Sequence, residues 1–103
     1  MPVILVSIDD GHPVSEAGIT LLINPQGCAL RIGQPIEVGR RVRLDGLPVK
    51  YEVTARVANC ISFGKYEGFW LIGLALDEPG NVWGVENPPA DWHTNDNLLS
   101  VNY

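Results

Sequence analysis

The sequence predicts an all-β domain, a small antiparallel barrel or sandwich. Three observations carry that expectation. Six short apolar or alternating runs recur at intervals of roughly 8–12 residues. Turn formers punctuate them, with 11 Gly and 8 Pro among 103 residues. No long stretch repeats with the 3.6-residue period of a helix.

The first run, Val3 to Ile8, is β-branched and apolar, a strand by composition. Asp9-Asp-Gly-His-Pro13 is a turn cluster, and Ser15-Glu-Ala-Gly18 leads into a second strand over about 19–24. Asn24-Pro-Gln-Gly27 then turns the chain. Asn bonds its own main chain, Pro fixes φ, and Gly accepts positive φ. A third strand covers about 28–33, and Ile36-Glu-Val-Gly39 is a short connector. Arg40 to Asp45 alternates, with Val42 and Leu44 expected inside and Arg41, Arg43 and Asp45 outside. Tyr51 to Ala58 has the clearest period of two, placing Tyr51, Val53, Ala55 and Val57 on one face. Phe69 to Leu76 is apolar on both faces, and Gly73 within it suggests a bulge or a close backbone approach. Pro88-Pro89 is placed to start one helical turn. The tail from His93 to Tyr103 is polar apart from Leu98, Leu99 and Val101, with room for one last strand.

At this length the chain reads as a single domain over 1–103, with a core of about 3–92 and a tail of 93–103. It is 46% apolar and 18% charged, the balance of a globular protein. No run approaches the roughly 18 apolar residues of a membrane-spanning helix. The apolar start lacks basic residues, so it reads as a strand and not as a signal peptide. Cys28 and Cys60 are too few for a disulfide framework. Reduced thiols and a cytoplasmic location are the expectation.

The net charge is −5, unevenly spread. All seven bases fall within 31–65, whereas 66–103 holds six acids and no base. An acidic whole argues against nucleic-acid binding, which depends on neutralising phosphates. Locally, Arg31, Arg41, Arg43 and Arg56 offer a surface to a small anion or an acidic partner. Their plainer role is to solvate strand faces and edges.

Little looks catalytic. His12 and His93 sit beside turn residues with no partner at a motif spacing, and no metal-ligand spacing occurs. The chain therefore reads as non-enzymatic. Trp70 reads as core packing, while Trp83 and Trp92 are expected to pin an irregular segment onto the domain.

Thr20-Leu-Leu-Ile-Asn-Pro-Gln-Gly-Cys-Ala-Leu-Arg-Ile32, continuing through Arg40-Arg-Val-Arg-Leu44, resembles the central part of a PilZ domain. The likeness extends through Glu52-Val-Thr-Ala-Arg-Val57, Trp70-Leu-Ile-Gly-Leu-Ala-Leu76 and Gly80 to Trp92, about 3–92 in all. The resemblance implies a six-stranded antiparallel β-barrel with a short helical element after the last strand. It also implies bacterial cyclic di-GMP signalling. Members of that family bind the nucleotide through an R-x-x-x-R pair before the first strand and a [D/N]-x-S-x-x-G turn. Paired guanidiniums grip phosphates in two-point fashion and stack on guanine.

This chain departs from both motifs. Only Met1 and Pro2 precede the first strand, and no arginine pair lies there. Setting Gly27 on the final motif Gly puts Asn24 at the Ser position and Leu22 at the Asp/Asn position. The resemblance therefore implies, first, a regulatory or adaptor domain with degenerate ligand motifs that acts on a protein partner. Its alternative is a direct cyclic di-GMP receptor, using Asn24 and Gly27 together with arginines upstream of this sequence. An obligate homo-oligomer is a further alternative.

Overall fold

A computed structural model describes residues 1–9, 15–62 and 68–93. The strands are β1 (Pro2–Ser7), β2 (Ser15–Asn24), β3 (Gly27–Ile32), β4 (Arg41–Asp45), β5 (Val53–Ser62) and β6 (Trp70–Leu76). One helical turn follows, α1 (Ala90–His93). The strands close into an antiparallel barrel in the order β1-β2-β3-β6-β5-β4. Pairing of β1 with β4, with Leu5 opposite Leu44, completes the ring. Closure leaves these six strands with no open edge, so the edges expected to need charged protection are absent from them.

Alternation explains the core. Val42 and Leu44 face in from β4, and Val53, Ala55 and Val57 from β5. Leu30 and Ile32 of β3 and Ile72 and Leu74 of β6 meet them from the other side. Burying each Val, Leu or Ile contributes about 1.5–3 kcal/mol. Trp70 packs half-buried against this cluster, as expected of a core aromatic.

Three departures from simple alternation shape the outside. Tyr51 does not join the inward face, being 64% exposed. Pairing of β4 with β5 reaches only Leu44 opposite Val53, so Tyr51 stays in the connecting loop. β2 starts at Ser15, earlier than expected, because Val6 of β1 pairs with Ser15. Its polar start is held by cross-strand pairing and not by intrinsic preference. Bulges then shift the register of β2 between Thr20 and Leu22, and of β5 between Val57 and Asn59. The second lies opposite Gly73, so the bulge belongs to β5 while Gly73 supplies the close approach. A Cβ on Gly73 would stand 2.6 Å from Asn59 Oδ1.

The two barrel ends are built differently. Val82 and Trp83 are buried beside the β2–β3 turn. At the other end, residues 33–40 connect β3 to β4, which stand on opposite sides of the ring with two strands between them either way. That connection therefore spans the mouth. α1 falls directly after Pro88-Pro89, and Trp92 packs against the core. The expected last strand in the tail and His12 lie outside the described residues.

Candidate functional site

The Asn24–Gly27 turn is a joint made of hydrogen bonds. Asn24 Oδ1 accepts from the backbone N–H of Gln26 at 2.9 Å and of Gly27 at 3.0 Å. The Asn24 carbonyl accepts the indole N–H of Trp83 at 2.8 Å. The carbonyls of Pro25 and Gln26 accept from the N–H groups of Gly80 and Leu76 at 2.8 and 2.7 Å. Gly27 lies against β6 so closely that a Cβ would fall 1.8 Å from the Leu74 carbonyl oxygen. The Asn24 side-chain oxygen and the Gly27 N–H are thus engaged with each other, and the Asn24 carbonyl is taken by the Trp83 indole. Leu22, at the motif's Asp/Asn position, is 64% exposed and offers no hydrogen bond.

The arginines divide into two places. Arg41, Arg43 and Arg56 share the outer face of β4 and β5, with Arg41 directly opposite Arg56. Like charges in such pairs repel. Asp77 offsets this: its Oδ2 accepts from Arg41 Nη2 and from Thr54 Oγ1, both at 2.5 Å. Arg43 grips Asp45 in two-point fashion, Nε to Oδ1 at 2.9 Å and Nη2 to Oδ2 at 3.0 Å. That hydrogen bonding raises the Arg43 pKa and lowers that of the Asp45 carboxyl. Arg56 is exposed, and among the described residues no carboxylate pairs with it. Arg31 stands apart on β3, its guanidinium carbon 5.0 Å from the Phe69 ring centroid. Stacking of this kind is worth about 0.5–1 kcal/mol at an exposed site.

Compared with family models, curated proteins and solved structures, the chain matches none of them.

The residues that sequence reasoning passed over lie on the outer face of β2, β3, β6 and β5. One row across the sheet reads Ile19, Arg31, Leu71, Ile61. The next reads Leu22, Ala29, Gly73, Asn59. Ile19, Leu21, Leu22, Ile61 and Phe69 are between 41% and 64% exposed. Large apolar side chains thus surround a centre made by Ala29 and by Gly73 with the Asn59 amide against it. One signal was available, since β6 is apolar on both faces. The β2 bulge was not legible, and it is what exposes adjacent Leu21 and Leu22 together.

The reactive groups are quiet. Burial pushes the Cys28 thiol up to about 12, so it is not a thiolate nucleophile at neutral pH. Both cysteines are free. Among the described residues, no three His, Cys, Asp or Glu side chains gather where they could hold a metal. No described helix is long and apolar enough to cross a membrane.

Proposed function

We propose that the chain is a PilZ-like regulatory or adaptor domain of the bacterial cyclic di-GMP signalling family. It is non-enzymatic and cytoplasmic, and it acts by docking a partner protein. The closed six-stranded antiparallel barrel is the architecture that the sequence resemblance implies. The observation that carries the protein-contact reading is the exposed apolar face of β2, β3, β6 and β5. Exposed apolar patches rimmed by polar residues mark interaction surfaces. Arg31 within it, over the Phe69 ring and without a carboxylate partner among the described residues, sets the partner's chemistry. The partner segment is apolar and carries a carboxylate to meet that guanidinium.

Selection of a displayed peptide library against the domain tests this. Enriched peptides are expected to combine large apolar residues with Asp or Glu. Leu22→Asp and Arg31→Glu should each weaken them by roughly tenfold or more. In calorimetry, cyclic di-GMP should give no saturable heat. Equal peptide binding by both variants, or saturable nucleotide binding by the wild type, overturns the reading. A wild-type dimer that Leu22→Asp dissolves would mean that a second copy covers the face, which also overturns it.

A further inference from the structure

The barrel mouth opposite the Asn24–Gly27 turn holds a half-open cavity of about 310 Å³ beside the 33–40 crossing. Its walls include Leu5, Ser7, Glu16, Gln34, Ile36 and Arg40. Two side chains there, one buried and one half-buried, have no polar partner among the described residues. Ser7 is only 8% exposed, and its buried Oγ has no hydrogen-bond partner among the described residues. A buried hydroxyl without a partner is uncommon and calls for a physical explanation. Glu16 lies opposite Leu5 across the β1–β2 ladder, so its side chain turns to the interior side of the mouth. Its Oε1 lies over Gly33, 3.5 Å from where a Cβ would be, and among the described residues it joins no ion pair.

The charge at this mouth has one sign left over. The Arg40 guanidinium is already engaged, Nη1 to Asp9 Oδ1 at 3.5 Å and Nη2 to Glu37 Oε1 at 3.8 Å. Asp9 and Glu37 thus occupy Arg40, and Glu16 adds a further carboxylate to the pocket lining. A hydroxyl oxygen, an amide oxygen on Gln34 and a carboxylate are all acceptors. Leu5 and Ile36 supply an apolar wall beside them.

We propose that this cavity binds a small organic cation, with a primary ammonium head on a short apolar body. The ammonium donates to Glu16 and to Ser7 Oγ, and the hydrocarbon lies along Leu5 and Ile36. An ammonium carries three donors, enough for Ser7, Glu16 and Gln34 at once. The site is separate from the outer apolar face and stands whether or not that face docks a protein.

Titration of the labelled protein with n-butylammonium, butyrate and n-butanol, followed by backbone amide spectra, tests it. Butylammonium is expected to give saturable shifts at Ser7, Glu16, Gln34 and Ile36, with a dissociation constant on the order of millimolar for so small a ligand. Glu16→Gln should weaken it roughly tenfold, because a charge-assisted bond becomes a neutral one. Ser7→Ala should also weaken it, while leaving the melting temperature unchanged or higher, since it removes an unsatisfied buried group. The proposal falls if butyrate or butanol gives the same shifts, or if Glu16→Gln binds as well as the wild type. It falls equally if the folded protein shows no saturation, or if Ser7→Ala loses stability and keeps its affinity.

Discussion

Gly27 and Asn24 share one turn, and different physics holds each of them. Gly27 is fixed by the backbone of β6, which leaves no room for any side chain. Gly27→Val must separate β3 from β6 at the Gly27–Ala75 pair, and a cost of about 3 kcal/mol or outright failure to fold is expected. Asn24→Ala leaves the chain path intact but strips two N–H groups of their acceptor. A part-buried loss of that kind costs about 1–2 kcal/mol. Urea denaturation of both variants separates the two cases, and equal midpoints would contradict this account. The turn itself was legible, because Asn, Pro and Gly each have a local reason to be there. Its anchoring was not. Trp83 lies 59 positions from Asn24, and no local pattern announces a bond between them. Ser7 and Glu16 read only as a residue of the first strand and a residue leading into the second, because the wall they share is set by the strand pairing and the 33–40 connection.

Among the elements, β4 and β5 were legible because each has one wet face and one dry one. Strict alternation then reports directly which residues enter the core. The bulges were not, since Leu21 and Ala58 are ordinary residues whose neighbours on the facing strand decide their fate. The 77–83 segment illustrates an element with no regular structure that is nonetheless firmly placed. Its fastening combines backbone bonds from Asp77 and Gly80, the Asp77 carboxylate contacts, the Trp83 indole hydrogen bond and the burial of Val82 and Trp83. Substitution resolves the Trp83 contributions. Trp83→Phe keeps most of the buried area and forfeits the bond to Asn24, for about 1 kcal/mol. Trp83→Ala also empties the space the ring filled, for about 3–5 kcal/mol. Chemical denaturation should rank wild type above Phe and Phe well above Ala. A Phe variant as unstable as Ala would mean that Trp83 contributes through its hydrogen bond and not its packing.

At the scale of the whole molecule, closure is the property local reading could not decide between barrel and sandwich. Alternating strands look alike in both, and the difference is a single long-range pairing, β1 with β4. That pairing makes a prediction of its own. In an antiparallel strand, the N–H groups of successive residues point to opposite neighbours. An edge strand has one row of N–H groups facing solvent, so proline is tolerated at alternate positions. β1 pairs with β2 on one side and β4 on the other, and Ile4 and Leu5 are each in register with both. Proline at either position therefore removes a ladder bond and leaves a carbonyl without its donor. Ile4 is 38% exposed, so the loss of its side chain weighs little against the loss of its N–H. Ile4→Pro and Leu5→Pro should both destabilise, each by roughly 2–3 kcal/mol or more, when midpoints are compared with Ile4→Ala and Leu5→Ala. If one of the two prolines is borne no worse than its alanine counterpart, β1 has a free side in solution and the ring is open there.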